Sequence, residues 1–154
     1  MKVNNISLRE FRVEDAEVIS KIIRTNLIQV NSRDYSESVI SNMYGIFTPS
    51  FIIEVSEKRK MYVALDGEKI VGTASIEGDT IYTVFVDTEY HGKGIGRKLM
   101  ECLEEIAANS GLQSVKLPAS ITAKKFYERL GYYALYEVET EEYGRDIIME
   151  KSLV

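Results

Sequence analysis

Ile6-Ser7-Leu8-Arg9-Glu10-Phe11-Arg12 alternates apolar and polar residues, the two-residue period of a strand with one buried face. Ile19, Ile22, Ile23, Leu27 and Val30 then recur at helical spacing, and Asp15 stands where an acidic residue favours a helix N-terminus. A second helix is predicted over 36–45, with Val39, Ile40, Met43 and Tyr44 on one side. Thr48-Pro49 reads as the cap and first-turn proline of a short third helix. From residue 61 the period changes. Met61-Tyr62-Val63-Ala64-Leu65 runs into Asp66-Gly67, a hairpin signal, and 70–77 is the return strand. Gly78-Asp79 turns the chain again into a third strand over 80–87, which completes an antiparallel meander. Ile95, Leu99, Cys102, Leu103 and Ile106 mark a long amphipathic helix, closed by Asn109-Ser110-Gly111 with the glycine suited to a left-handed cap. A short strand over 114–117, a helix over 122–130 ended by Gly131, and a closing antiparallel pair over 132–138 and 146–153 complete the pattern. The expectation is one α+β domain over residues 1–154, with a single mixed, mostly antiparallel sheet of about seven strands flanked by helices.

A chain of 154 residues, 45% hydrophobic and 28% charged, is long enough to bury a sizeable core and polar enough to be an ordinary globular protein. No apolar run approaches the roughly 20 residues of a membrane helix. Met1-Lys2-Val3-Asn4-Asn5 lacks the apolar stretch of a secretory signal, so a cytoplasmic protein without a membrane partner is expected. One cysteine, Cys102, forbids an intrachain disulfide, and with one histidine it argues against a zinc site, so no metal is expected. A net charge of −5 argues against a nucleic-acid partner.

The segment Val84-Phe85-Val86-Asp87-Thr88-Glu89-Tyr90-His91-Gly92-Lys93-Gly94-Ile95-Gly96-Arg97 carries the candidate chemistry. A strand enters a turn crowded with glycines and leaves it as a helix. Such a turn presents unpaired backbone N–H groups at a helix N-terminus, where the helix dipole favours phosphate oxygens. Lys93 and Arg97 add positive charge. Two commoner phosphate motifs fail. The dinucleotide fingerprint needs a third glycine at 97 or 99, which are arginine and leucine. The P-loop needs Ser or Thr after Gly-Lys, and Gly94 stands there. A glycine loop that only turns the chain remains the plain alternative, although three glycines within five residues exceed what a turn needs.

The segment resembles the coenzyme-A-binding motif of the GNAT N-acetyltransferase superfamily, Gln or Arg, two residues, Gly, one residue, then Gly or Ala. His91 occupies the Gln/Arg position, and the glycines match at Gly94 and Gly96. The order of predicted elements is similar to that family over nearly the whole chain. A second segment, Ser120-Ile121-Thr122-Ala123-Lys124-Lys125-Phe126-Tyr127-Glu128-Arg129-Leu130-Gly131-Tyr132, resembles the family's second signature, with Ser120 in place of asparagine. The resemblance implies acetyl-CoA as co-substrate. Its pyrophosphate would lie on the backbone amides of His91, Gly92, Lys93, Gly94, Ile95, Gly96 and Arg97, with a further contact at Ser120. It also implies a backbone N–H that stabilises the thioester oxygen. Val86 is the candidate, on a stretch Phe85-Val86-Asp87 expected opposite Val115-Lys116-Leu117.

Tyr127 falls on the tyrosine that many family members use as general acid. The chemistry allows a phenol, because the coenzyme A thiolate must be protonated or stabilised as it leaves, and a tyrosine with pKa near ~10 against a thiol's near ~8.5 stays protonated at neutral pH as a hydrogen-bond donor and proton source. The implied partner is a small-molecule or peptide amine. No base stands out: Glu77, Asp79 and Thr80 lie near the position where histone-type members carry a glutamate. The acidic stretch Glu137, Glu139, Glu141 and Glu142 beside Tyr143 suits a cationic acceptor or is a solvated loop. Cys102 reads as core, and no second histidine exists to activate it. Alternatives are a non-catalytic acetyl-CoA sensor, motivated by the departures at His91 and Ser120, and an interaction protein. Family members are often dimers, so a homodimer is compatible, although the chain carries no interface signal.

Overall fold

The computed structural model describes residues 5–154; residues 1–4, part of the segment without an apolar leader, lie outside the described residues. In chain order the elements are β1 (Ile6–Glu10), α1 (Ala16–Gln29), α2 (Glu37–Ile46), α3 (Pro49–Ser56), β2 (Lys60–Asp66), β3 (Lys69–Glu77), β4 (Thr80–Val86), α4 (Ile95–Asn109), β5 (Ser114–Ser120), α5 (Lys124–Arg129), β6 (Tyr133–Thr140) and β7 (Gly144–Ser152). The strands form one seven-stranded sheet in the order β1-β2-β3-β4-β5-β7-β6, antiparallel except at β4–β5. Thr48 caps α3 as the sequence predicts, accepting from Phe51 N–H at 3.1 Å ahead of the first-turn Pro49. Ser36 caps α2, accepting from the Val39 N–H at 3.2 Å.

Two cores cover the two faces of the sheet. Ile19, Ile23 and Leu27 of α1 join Ile40, Met43 and Ile52 over Met61 and Val63. On the other face Ile95, Leu99, Met100 and Leu103 of α4 pack on Ala64, Val71, Ala74 and Met149. The alternation of Met61 and Val63 with Ala64 follows from the pleat. Cys102 departs from the expectation: it is half-buried at the flank of the α4 stripe rather than in the core. Burial and Glu105 push its thiol up, which keeps it unreactive.

The β4–β5 pair decides the architecture of the site. Only Thr80 and Lys116 pair, and the Lys116 N–H donates to Asp79 C=O at 2.9 Å. The next ladder bond would need an N–H from residue 118, which is proline, so the pairing stops there. On β4 the register against β3 slips by one residue between the Thr73–Phe85 and Ser75–Tyr82 pairs. Thr83 sits in this bulge with φ of 57°, a left-handed conformation that a β-branched residue rarely adopts. The bulge bends the second half of β4 away from β5 and opens a wedge. The expected pairing of Phe85-Val86-Asp87 with Val115-Lys116-Leu117 is therefore incorrect: Lys116 lies beside Thr80, and the same register carried forward sets Ser120 across the gap from Val84.

Asp15 does more than favour a helix dipole. Its carboxylate takes both Arg9 guanidinium nitrogens at 2.8 and 3.0 Å and the Arg12 N–H at 2.8 Å, which fastens β1 to the start of α1. Burial opposes ionisation, but the Arg9 and Arg12 bonds outweigh it and hold the carboxyl below its usual range. Its contribution is thus present above the ordinary carboxylate pKa and is lost as pH falls through the lowered value. Asp15→Ala is expected to cost about 2 kcal/mol in urea unfolding at pH 7, with a smaller difference near pH 3.

Candidate active site

The glycine loop follows the open end of β4. Gly92 and Gly94 have φ of 76° and 82°, and Gly94 is the N-cap of α4. Lys98 N–H makes the first helical bond, to Gly94 C=O at 3.1 Å, so the amides of Ile95, Gly96 and Arg97 have no carbonyl below them in the helix. Gly96 is needed for a different reason: a Cβ there would stand 2.9 Å from Phe126 Cζ of α5. His91 is exposed but not idle. With Nε2 as the donor, it bonds Val86 C=O at 2.8 Å and folds the loop back onto β4. The same carbonyl accepts Asn26 Nδ2 of α1 at 2.8 Å. Arg97 pairs with Glu101 at 3.0 Å on the exposed face of α4.

Two cavities of about 340 Å³ each meet at the wedge. The first is lined by Val86, His91, Gly92, Gly94, Ile95, Gly96, Arg97 and Ser120, so it gathers most of the residues implied by the two motifs. Lys93 stands outside this lining. The second lies on the α1–α3 side and is walled by Phe47, Phe51, Tyr82, Tyr143, Arg59 and Asp146, among others. Asn31, Val84, Phe85, Ser120, Ala123 and Tyr127 line both, so these residues bound the passage between them.

Tyr127 is buried, with edge contacts to Phe126 and Tyr132 at ring separations of 5.1 and 5.9 Å. Burial alone pushes its phenol well above the ordinary tyrosine value, so it is protonated at any working pH. Val86 presents its N–H and C=O toward the wedge. The Asp87 N–H bonds Val71 C=O at 2.8 Å across β3, and the antiparallel alternation turns residue 86 the other way. Backbone amides at one mouth, an apolar channel, a strand edge and a neutral phenol at the junction fit a long phosphorylated thioester with its reactive end at the wedge.

The description "Acetyltransferase (GNAT) domain" matches residues 31–153. The chain belongs to the GNAT acetyltransferase family. It is accordingly an acetyl-CoA-dependent acyltransferase, and its seven-stranded mixed sheet is the family's fold. It is 30% identical over 139 residues to the uncharacterised N-acetyltransferase YafP of Escherichia coli strain K12, covering 90% of this chain and 89% of YafP. Its fold superposes with a TM-score of 0.89 on a GCN5-related N-acetyltransferase from Rhodopseudomonas palustris, at 26% identity over 99% of this chain and 98% of the other. A second superposition, TM-score 0.79 at 20% identity, is with the PaiA N-acetyltransferase of Thermoplasma acidophilum, solved with coenzyme A, over 97% of this chain and 99% of that one.

Within this GNAT frame, the acidic residues named from the sequence stand away from both cavities, in keeping with the solvated reading of Glu137, Glu139, Glu141 and Glu142. Glu77 and Asp79 line a different depression, at the closed end of the β3–β4 hairpin. Glu137, Glu139, Glu141 and Glu142 are exposed, and none lines either cavity. The carboxylate that does reach the second cavity is Asp146, the cross-strand partner of Ser120. Burial pushes it up to about 6, opposed only slightly by a long 3.5 Å contact from Tyr35. The Tyr35 hydroxyl itself donates to Arg145 C=O and accepts from Ile121 N–H, both at 2.9 Å. Asn26 and Asn31 were also missed. Their signal is local: Asn26 interrupts the apolar stripe of α1 at helical spacing after Ile22 and Ile23.

A raised carboxyl pKa destabilises the fold once the group ionises. Stability is therefore lost as pH rises from the unfolded value near ~4 through the folded value of about 6. Asp146→Asn is expected to stabilise the fold above pH 6 by about 1 kcal/mol after discounting for solvent, raising the melting temperature there, and to change little below pH 4. A thermal melt at both pH values checks this.

Proposed function

We propose that this protein transfers the acetyl group of acetyl-CoA to a primary amine by direct attack within a ternary complex. The observation that carries the reading is the junction itself: the two cavities share Tyr127, Ser120 and the Val84-Phe85 edge of the wedge. The α4 amides and the first cavity suit the pyrophosphate and pantetheine, and coenzyme A is present in the solved PaiA relative. The second cavity suits the acceptor. The amine nitrogen bonds to the thioester carbon, the carbon–sulfur bond breaks, and Tyr127 gives its phenol proton to the departing thiolate. The Val86 N–H stands on the edge where negative charge develops on the carbonyl oxygen. The His91 side chain holds the loop against β4 through Val86 C=O.

Initial-velocity kinetics test the order of events. Direct attack gives intersecting double-reciprocal lines as acetyl-CoA and amine are varied. Parallel lines would mean a covalent acetyl-enzyme and would contradict the reading.

A further inference from the structure

The second cavity holds more chemistry than an amine requires. Among its described lining residues there is one carboxylate, Asp146, and one cation, Arg59. The rest of the wall is largely apolar or aromatic, including Leu27, Met43, Phe47, Phe51 and Phe85. The two charges are not spent on each other, since Arg59 reaches Glu77 at 3.5 Å and Asp146 has no ion pair among the described residues. Arg59 is placed firmly. Its guanidinium lies 4.2 Å over the Tyr82 ring, and Nη1 donates to Thr83 Oγ1 at 3.2 Å, on the bulge. Its buried Nε has no hydrogen-bond partner, since the Glu77 carboxylate stands 3.5 Å away. Asp146 is placed beside the wedge, directly across from Ser120. Tyr143 lines the same cavity as both charges.

We propose that the acceptor is a small zwitterion, an amino acid or close analogue with an apolar or aromatic body, whose ammonium meets Asp146 and whose carboxylate meets Arg59. This rests on the acetyl-transfer reading above. A planar guanidinium braced by stacking is the side chain best suited to a carboxylate. A lone carboxylate in an aromatic wall is suited to one ammonium. A polyamine or aminoglycoside would bring several positive charges against Arg59 with one carboxylate to meet them. The acidic residues of the β6–β7 hairpin do not help, being outside the cavity. The proton balance closes. The bound ammonium gives one proton to Asp146, which releases it to water. The freed amine attacks, and its second proton restores the Tyr127 phenol that protonated the thiolate.

Paired acceptors test this: phenylalanine against phenethylamine, methionine against 3-(methylthio)propylamine, and spermidine alone. Acetyl-CoA-dependent thiol release should favour each amino acid over its decarboxylated partner by roughly 30-fold in kcat/KM. Arg59→Gln should bring that ratio toward one, and Arg59→Lys should recover part of it. A merely structural role for Arg59 would lower both members of a pair together and keep the ratio. Asp146→Asn should lower kcat/KM for both members by roughly 100-fold. Equal use of the two partners by the unaltered protein, or preference for spermidine, overturns the proposal alone. Calorimetry with the chain loaded with coenzyme A, which has no acetyl group to give, reads acceptor binding without turnover. Phenylalanine binding roughly 10-fold or more tighter than phenethylamine, with no acetylation from acetyl-CoA, supports the zwitterion site and overturns the transfer reading.

Discussion

Tyr127→Phe is expected to lower kcat by roughly 100-fold while leaving acetyl-CoA affinity within about twofold, the signature of a group that acts only in the transition state. The reason lies in the surroundings of the phenol. Burial alone keeps it protonated, with edge contacts to Phe126 and Tyr132 fixing the ring. Phenylalanine preserves those contacts and the ring volume, so the fold should melt within a few degrees of the parent. The unaltered protein should show no basic limb in kcat from this group below about pH 10, because deprotonation is pushed above the ordinary tyrosine value. Rate measurements of both proteins across pH 6 to 10 check the prediction. Full activity of the variant throughout that range would remove Tyr127 from the mechanism.

The second large effect is expected at Gly96. A Cβ at this position meets Phe126 Cζ at 2.9 Å and lies 3.7 Å from Val86 Cγ2. Valine adds two further methyl groups to that contact. The aromatic ring then has to move, and because Phe126 lines the first cavity, its displacement narrows the channel proposed for the pantetheine arm. Overpacking of this kind costs about 1–3 kcal/mol in stability. The ligand should suffer more, because the α4 amides and the channel must both stay in place. Gly96→Val is expected to weaken acetyl-CoA by roughly 100-fold in calorimetry, with the chain still folded by circular dichroism. Affinity within a factor of about three would mean that acetyl-CoA does not use this face.

The elements were legible because burial on one face imposes a period on the sequence. Ile19, Ile22, Ile23 and Leu27 show α1, and the caps at Ser36 and Thr48 show where helices start. The glycine loop was legible for a related reason, since a left-handed turn into a helix N-terminus favours glycines clustered in a short stretch. The wedge was not legible in the same way. It depends on a bulge at Thr83 and on the missing N–H of Pro118, and neither position carries a periodic signature. The second cavity was hidden by distance along the chain. Tyr35 and Arg59 stand in the connections before α2 and β2, Asp146 stands on β7, and only the folded chain brings them to one cavity. The exposed glutamates of the β6–β7 hairpin were a louder acidic signal than the single Asp146 that enters the cavity. His91 shows the opposite case. It departs from the family motif, yet its bond to Val86 C=O gives it a structural task beside the wedge.

The most direct measurement of the central claim is the stoichiometry of amine-dependent thiol release from acetyl-CoA, followed together with the mass of the acceptor. The account predicts one thiol released for each amine that gains an acetyl group, with negligible release when the amine is omitted. Tight acetyl-CoA binding with no acetylated amine would contradict it, and so would thiol release at the same rate without any acceptor.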